Sequence, residues 1–309
     1  MDRLSIVVPC YNEADNILSF YDESQPFIEN LNIDVEYVFI DDGSTDQTLK
    51  ILRQLSEQKS HVHYISFTRN FGKEAGILAG LRYASGDAII LMDADLQHPP
   101  SLIPEMWKYY KEGYDQVIAK RNRKGENFTR RKISNLFYKL ANRLVDEVEM
   151  IDGIGDFRLL SRQALDALLE LKEYNRFSKG LFSWIGFTEK IIEYENVQRA
   201  NGEGKWSFNK LLNYAIDGIL SFNNRPLRIA IYVGLIITFF GFIYILVHLI
   251  NYFINGVDTP GYFTTISAII LLGGVQLIFL GVIGEYIGRI FYETKHRPHY
   301  LIKEKSKKE

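Results

Sequence analysis

The sequence predicts an α/β fold in which a mainly parallel β-sheet carries helices on both faces and is followed by two long apolar helices. Short apolar runs alternate with helical segments through the amino-terminal part of the chain, a pattern typical of parallel sheets. The carboxyl-terminal third changes in composition, since residues 229–257 and 259–284 contain no Asp, Glu, Lys or Arg. Each of these stretches exceeds the roughly 20 residues that a helix needs to cross a bilayer.

The alternating segments can be assigned along the chain from their apolar periodicity. The pattern predicts strands over residues 4–10, 35–40, 63–67, 87–92 and 116–119. It predicts helices that begin near Ala14, that cover 45–58 and 73–84, and that start at Pro99-Pro100. The carboxyl ends of such strands meet at one edge of the sheet, where α/β proteins bind their ligands.

An acidic pair, Asp93 and Asp95, directly follows the fourth of these apolar runs. Residues i and i+2 of an extended strand lie on one face, so both carboxylates can face a single point. Their oxygens suit Mg²⁺ or Mn²⁺, which commonly joins one or two carboxylates to substrate phosphates. We predict that this pair holds a divalent metal, the alternative being a solvated acidic turn.

Two other strand ends and one helix start carry polar side chains. Tyr11 and Glu13 follow the first strand and could hold a nucleoside base, the alternative being a simple turn capped by Asn12. Asp42 follows the second strand and could accept a hydrogen bond from a base. Lys73 opens a helix from which it can reach a nucleotide, although the spacing of a phosphate-binding P-loop is absent.

The overall composition sets few limits on partners. The net charge of the 309 residues is -2, and the single cysteine, Cys10, excludes an intrachain disulfide and fits a reducing compartment. The basic residues cluster beside the apolar segments, and no nucleic-acid recognition motif occurs, so we expect no nucleic-acid partner.

The distribution of Lys and Arg predicts the orientation of an apolar hairpin in a membrane. Basic residues precede the first apolar stretch and follow the second, whereas the loop between them contains none. Both ends, and with them the amino-terminal domain, should therefore be cytosolic. Two segments, at about 130–144 and 208–222, are amphipathic, so each could lie in the membrane interface or pack on the sheet.

Several motifs together resemble a known family. They are Pro9-Cys10-Tyr11-Asn12-Glu13, Asp41-Asp42-Gly43-Ser44, Asn70-Phe71-Gly72-Lys73 and Asp93-Ala94-Asp95-Leu96-Gln97-His98-Pro99-Pro100, in this order. In this combination the chain resembles the family 2 glycosyltransferases, specifically the polyprenyl-phosphate (undecaprenyl-phosphate) glycosyltransferases similar to dolichol-phosphate mannose synthase, in their bacterial two-span branch. The resemblance covers nearly the whole chain and implies a GT-A-type nucleotide-sugar domain.

The resemblance also implies roles for individual residues. Those matching the nucleotide-sugar contacts are Pro9, Tyr11, Glu13, Asp42, Lys73, Asp93, Ala94, Asp95 and Gln97. Those matching the grip on the lipid phosphate are Arg121, Arg130, Arg131 and Ser134. Those matching the segment that closes over the diphosphate are Arg199, Lys205 and Trp206. Asp93 and Asp95 would hold Mg²⁺ or Mn²⁺, and Asp156 is the candidate base, with orientation of the acceptor as the alternative role.

The implied reaction is the inverting transfer of one sugar to undecaprenyl phosphate at the cytosolic face of the cell membrane, for use in cell-wall or O-antigen decoration. UDP-glucose and UDP-N-acetylglucosamine are the leading donors, with GDP-mannose as an alternative. Further candidate partners are membrane lipid, a flippase, a downstream transferase and other copies of the chain. The rival interpretations are a processive polysaccharide synthase, whose Gln-x-x-Arg-Trp segment is absent, and a catalytically silent membrane scaffold.

These observations divide the chain into four parts. They are a cytosolic glycosyltransferase domain (1–200), an amphipathic juxtamembrane segment (201–228), a transmembrane hairpin (229–291, with spans at about 229–254 and 262–288) and a basic cytosolic tail (292–309).

Overall fold

The chain folds into alternating strands and helices followed by two long helices. The computed structural model describes residues 2–122, 151, 153–195, 225–255 and 261–306. The first elements are β1 (Arg3–Cys10), α1 (Ile17–Glu29), β2 (Asp34–Asp41), α2 (Thr48–Gln58), β3 (Val62–Phe67), α3 (Lys73–Tyr83), β4 (Ala88–Leu91), α4 (Ile103–Lys111) and β5 (Gln116–Asn122). They are followed by β6 (Ile154–Ser161), α5 (Arg162–Glu170), α6 (Ser178–Trp184), β7 (Glu189–Glu195), α7 (Arg225–Asn255), α8 (Tyr262–Thr294) and β8 (Ile302–Lys305).

The described strands form one 8-stranded sheet in the order β7-β5-β6-β4-β1-β2-β3-β8. The four strands β4, β1, β2 and β3 pair in parallel, as do β5 and β7. Strands β6 and β8 run antiparallel to their neighbours. The predicted mainly parallel sheet is therefore confirmed, although the sequence pattern did not predict β6, β7 or β8.

Apolar side chains cover both faces of this sheet. Ile6 of β1 belongs to a buried cluster with side chains from α1, α2 and α4. The next residue, Val7, belongs to a second cluster with side chains from α3, α5 and α6. Because successive side chains of a strand point to opposite faces, the helices flank the sheet on both sides, as predicted.

The loops after β1 and β2 are longer than the sequence pattern predicts. Helix α1 begins at Ile17 rather than near Ala14, and α2 begins at Thr48 rather than at residue 45. The intervening residues are held by bonds between the loops, since Thr45 N–H donates to Asn12 Oδ1 (2.9 Å) and Glu13 N–H donates to Thr48 Oγ1 (2.9 Å). The proposal that Asn12 caps α1 is therefore wrong, because its side chain joins the two loops instead.

Gly43 allows the turn after β2 to lie against the loop after β3. Its φ is +66°, and a Cβ at this position would lie 2.4 Å from the carbonyl carbon of Arg69. A side chain here would force the two loops apart. The glycine thus brings the end of β2 to the start of α3.

Part of the predicted basic tail belongs to the sheet. Ile302–Lys305 forms β8, which pairs antiparallel with β3. Glu304 forms two 2.6 Å bonds with the guanidinium of Arg53 on α2. The charged composition of residues 292–309 is typical of a solvated tail, but it also suits an edge strand that faces water. The division of the rest of the chain into domains stays a prediction.

Among the described residues, one helical stretch, Leu271–Thr294 within α8, is long and apolar enough to cross a membrane, judged by length and composition. A shorter apolar stretch, Tyr232–Tyr244, lies within α7. The predicted pair of transmembrane spans therefore stays a prediction. The amphipathic segments predicted at 130–144 and 208–222 lie outside the described residues.

Candidate active site

The candidate site lies at the edge of the sheet where the parallel strands β1, β2 and β4 end. The direction in which strands are added to the sheet reverses at β1: β2 and β3 lie on one side of it, and β4 lies on the other. Ligands of open α/β sheets bind outside the carboxyl ends of strands at such a point. The loops that follow β1 and β2 are joined there by a 2.9 Å bond from Asn12 N–H to Ser44 Oγ.

A lysine between two carboxylates forms the centre of this site. The Nζ of Lys73 lies 2.7 Å from Asp93 Oδ1 and 2.7 Å from Asp156 Oδ2. Lys73 opens α3, Asp93 follows β4 and Asp156 lies on β6, so three separate elements meet through one ammonium group. The side chain of Asp156 is 12% exposed, whereas those of Asp93 and Lys73 are 30% and 43% exposed. The site is therefore open on the lysine side.

The charges in this cluster stabilise one another. Burial would raise the pKa of Asp156, but the positive charges of Lys73 and Lys179 outweigh it and hold that pKa well below its usual range. Burial likewise opposes the ionisation of Asp93, but the positive charge of Lys73 outweighs it and lowers the pKa of that carboxyl. Burial would lower the pKa of Lys73, yet Asp156 and Asp93 raise it above its usual value. All three groups are thus charged at neutral pH.

Asp42 holds the segment that presents Lys73. Its Oδ1 accepts from Phe71 N–H (2.6 Å) and its Oδ2 accepts from Gly72 N–H (2.9 Å). Burial raises the pKa of Asp42, against the effect of these two hydrogen bonds. The carboxylate at the end of β2 therefore supports the start of α3, and its predicted contact with the nucleotide stays a prediction.

Asp93 and Asp95 lie on a turn rather than on a strand. Strand β4 ends at Leu91, and Leu96 has a φ of 57°. Asp95 Oδ1 accepts from Gln97 N–H at 3.1 Å, which closes the turn locally. The argument that strand alternation places both carboxylates on one face is thus wrong, because the strand ends before the first of them.

His98 supports this turn, a role that the sequence did not predict. Its Nδ1 accepts from Asp93 N–H at 3.0 Å, which assigns the proton of the neutral ring to Nε2. That Nε2 lies 3.9 Å from Asp93 Oδ2, and the ring stacks on Phe157 at 4.9 Å between centroids. Burial lowers the pKa of His98, so the ring is neutral at pH 7 and orients Asp93 without adding charge.

The carboxylates at this turn fit a metal that is shared with a substrate. Within the described parts of the chain, no group of three or more His, Cys, Asp or Glu side chains could hold an ion by itself. Mg²⁺ is usually bound by one or two carboxylates together with waters and substrate phosphates. Asp93 and Asp95 supply such a pair, and Asp93 is accessible at 30% exposure. Their role as metal ligands stays a prediction.

The other predicted contact residues are distributed around this edge. Pro9 lies beside α3, because a Cβ on Gly76 would be 3.4 Å from Pro9 Cβ. Tyr11 is 39% exposed, and Glu13 Oε2 accepts from Asn16 Nδ2 at 2.6 Å. Arg121 lies on β5, where its N–H donates to Gly153 O at 2.9 Å. The predicted residues outside the described parts of the chain are Arg130, Arg131, Ser134, Arg199, Lys205 and Trp206.

A buried arginine beside Asp156 is a further feature that the sequence did not predict. Arg158 is 1% exposed, and its guanidinium carbon lies 3.9 Å from the ring centroid of Phe182. Its Nη2 donates to Gly155 O at 2.9 Å, while its Nε has no hydrogen-bond partner among the described residues. Burial lowers its pKa to about 10, against the charge of Asp156. Arg158 thus adds positive charge that acts on Asp156.

Glu74 fastens α3 to α6 next to the central lysine. It accepts hydrogen bonds from the N–H of Ser178 (3.1 Å) and from the Ser178 hydroxyl. Burial raises the pKa of Glu74 to about 7, and the charge of Asp156 acts in the same direction.

This raised pKa predicts a pH-dependent stability. The folded state favours protonated Glu74, whose ordinary pKa of 4.5 applies in the unfolded chain. The stabilising effect of that proton is therefore fully present below pH 4.5 and is lost as the pH rises through about 7. Glu74→Gln stays neutral and keeps an oxygen for Ser178. Between about pH 5 and pH 8 the wild-type protein should lose on the order of 2 kcal/mol of stability relative to Glu74→Gln. Unfolding of both full-length proteins in detergent at several pH values measures this, and parallel pH curves would contradict it.

Two segments of the chain match known protein families. Residues 5–169 match the model of glycosyl transferase family 2, and residues 225–290 match that of the GtrB C-terminal hairpin. CsbB of Bacillus subtilis (strain 168), whose name places it among the glycosyltransferases, is 56% identical over 301 residues, which cover 97% of this chain and 91% of that protein. The bactoprenol glucosyl transferase of Shigella phage SfV is 42% identical over 307 residues, covering 99% of this chain and 100% of that protein.

Solved structures with similar folds were also found. Glucosyl-3-phosphoglycerate synthase from Mycobacterium tuberculosis, in complex with Mn²⁺, UDP-glucose and phosphoglyceric acid, has a TM-score of 0.47 and 22% identity, over 71% of this chain and 79% of that chain.

The family resemblance drawn from the sequence motifs is confirmed by these comparisons. The family 2 model spans the segments that carry Lys73, Asp93 and Asp156. The full-length similarity to several glycosyltransferases extends through both long helices. The chain is a glycosyltransferase and belongs to glycosyl transferase family 2.

Proposed function

We propose that the protein transfers a single sugar from a UDP-sugar to a polyprenyl phosphate at the cytosolic face of the cell membrane. The observation that carries the proposal is the Lys73–Asp93–Asp156 cluster at the strand-end edge of a sheet, in a chain that also has a GtrB-type hairpin. Relatives that are 42% identical over nearly the whole chain are named bactoprenol glucosyl transferases, which supports a polyprenyl acceptor and a glucosyl donor. UDP-glucose and UDP-N-acetylglucosamine are the two donors proposed.

The donor diphosphate would bind between the turn after β4 and the start of α3. Asp93 and Asp95 would hold Mg²⁺ or Mn²⁺, which would neutralise the charge that develops on the leaving nucleoside diphosphate. Lys73 lies within reach of the same oxygens, because its Nζ is 2.7 Å from Asp93. Pro9, Tyr11, Glu13 and their neighbours along the edge would contact the nucleoside.

The chemical step is an in-line displacement that inverts the anomeric carbon. An oxygen of the lipid phosphate supplies the electron pair of the new C–O bond, and the nucleoside diphosphate leaves with the pair of the broken one. By analogy with phosphorylated side chains, the second pKa of such a phosphate is about 6, so the acceptor is largely ionised at pH 7. It therefore needs little help from a base.

Asp156 would orient the reactants rather than remove a proton. Its pKa lies well below the usual range because Lys73 and Lys179 offset the cost of burial. A carboxylate of this kind is a weak base. Its fixed ion pair with Lys73 would hold the ammonium group beside the donor diphosphate, where it stabilises negative charge.

The acceptor phosphate would be bound by basic residues close to the membrane. Arg121, Arg130, Arg131 and Ser134 are proposed for this grip, since guanidinium groups bind phosphate through paired hydrogen bonds. Arg199, Lys205 and Trp206 are proposed to close over the diphosphate. The helices α7 and α8 would form a membrane hairpin with both ends cytosolic, which brings the site to the lipid headgroups.

Transfer assays with purified membranes test this function. We expect a metal-dependent, lipid-extractable product carrying one sugar from undecaprenyl phosphate and labelled UDP-glucose or UDP-N-acetylglucosamine. Asp95→Asn should abolish the product while membrane insertion is unchanged, because the metal loses a charged ligand. The matched control is Asp2→Asn, which removes a carboxylate at the opposite end of β1. A polymeric product, transfer from GDP-mannose alone, or wild-type turnover by Asp95→Asn with metal present would contradict the proposal.

Replacing Arg121 should weaken acceptor binding selectively. Arg121→Ala should raise the KM for lipid phosphate about tenfold and change the KM for the nucleotide sugar by less than about twofold, because one charge-assisted phosphate contact is lost. Steady-state kinetics with each substrate varied in turn measure the split. Lys120→Ala is the control, since the adjacent Lys120 pairs with Glu193 at 3.3 Å. The reverse pattern of KM values would refute the acceptor role.

A further inference from the structure

The segment that follows the apolar helix α8 returns along the catalytic domain and ends in its sheet. We call residues 293–306, which begin in the last turn of α8, the C-terminal strap. Its last part, β8, pairs with β3, and Ser306 exchanges hydrogen bonds with Tyr64, whose N–H donates to Ser306 Oγ and whose carbonyl accepts from Ser306 N–H (3.0 Å each). Strand β3 leads directly into the loop that precedes Lys73, the first residue of α3. The strap therefore lies against the sequence segment that positions the central lysine.

The middle of the strap stacks on the aromatic side chain at the end of β3. The ring of Tyr300 lies parallel to that of Phe67, with centroids 4.8 Å apart and planes at 13°. Phe67 in turn meets the edge of Phe71 at 5.8 Å. The carbonyl of Leu301 accepts from Thr68 N–H at 3.0 Å. Phe71 is the residue whose N–H is held by Asp42, so the strap and Asp42 both fix this short segment.

The start of the strap makes a second connection to the site. Glu293, at the end of α8, accepts from the N–H groups of Tyr174 (2.8 Å) and Asn175 (3.3 Å). The ring of Tyr174 stacks with those of Tyr292 (5.8 Å between centroids) and His299 (5.4 Å). The loop held in this way continues into α6, whose first residue bonds to Glu74 beside the central lysine.

We propose that the C-terminal strap is a positioning element for donor binding, which joins α8 to the loop that presents Lys73. The inference rests on the proposed function, because it assumes that this loop contacts the nucleotide sugar. The two connections approach Lys73 and Glu74 from opposite ends of the strap. Loosening the strap should therefore weaken binding of the nucleotide, while contacts to the lipid phosphate stay in place. Tyr300 acts through Phe67 and Phe71 and would not touch the substrate.

Nucleotide binding to full-length protein in detergent tests the role of Tyr300. UDP with Mn²⁺ is the probe, and titration calorimetry gives its Kd. Tyr300→Ala should raise the Kd about tenfold, and the KM for the UDP-sugar should rise with it, because an aromatic stack that holds the loop is lost. Tyr300→Phe keeps the ring and should bind UDP within about twofold of wild type. The KM for lipid phosphate should stay unchanged in both variants.

A charge exchange at the end of the strap tests the same inference without removing an aromatic side chain. Arg53→Glu and Glu304→Arg each break the paired 2.6 Å bonds that fix β8 to α2. Each single variant should raise the Kd for UDP about threefold, and the double variant should restore it. This pair is informative even where Tyr300→Ala fails to fold.

The outcomes separate the inference from the proposed function. Wild-type protein that binds neither UDP nor GDP would overturn the proposed function and the role of the strap with it. If the wild-type protein binds UDP, and Tyr300→Ala and the charge variants bind it with the same Kd as the wild type, the inference alone is overturned. A lower melting temperature for Tyr300→Ala with an unchanged Kd would show that the strap only stabilises the fold.

Discussion

The ion cluster at Lys73 is the interaction on which the arrangement of the site depends. One ammonium group lies 2.7 Å from a carboxylate after β4 and 2.7 Å from another on β6. Without it, two partly buried negative charges would face each other, and at least one would take up a proton. The position of Lys73 is in turn set by Asp42, which holds the two preceding N–H groups. The carboxyl ends of β2 and β4 and the start of the antiparallel strand β6 thus meet at one point. This arrangement places their side chains for contact with a diphosphate.

The same cluster explains why this site suits an acceptor that is already ionised. A lysine-paired Asp156 is a weak base, so the site offers orientation and charge stabilisation rather than proton removal. A sugar hydroxyl would need a proton acceptor, whereas a phosphate monoester at pH 7 would not. The chain after the apolar helix α8 pairs with β3 through β8, so α8 is joined directly to the sheet that carries the site.

Local sequence pattern predicted the parallel half of the sheet and the residues at its strand ends, because apolar runs and turn residues are short-range signals. It did not predict that Asp156 meets Lys73, since that contact depends on β6 running antiparallel between β4 and β5. It applied the alternation of a strand to Asp93 and Asp95, although the strand ends at Leu91 and a turn follows. It assigned β8 to a basic cytosolic tail, because an edge strand exposed to water has the composition of a tail. The first and the last of these differences concern pairings between distant segments, whereas the turn at Asp93 and Asp95 is local.

The most direct test of this account is a double-mutant cycle between Lys73 and Asp156 in the transfer reaction. Lys73→Met should lower kcat/KM at least about 100-fold, and adding Asp156→Asn should cost little more, because both residues act as one unit. Thermal unfolding of each variant separates loss of chemistry from loss of fold. Losses that simply add, or wild-type turnover by Lys73→Met, would contradict the central role of the cluster.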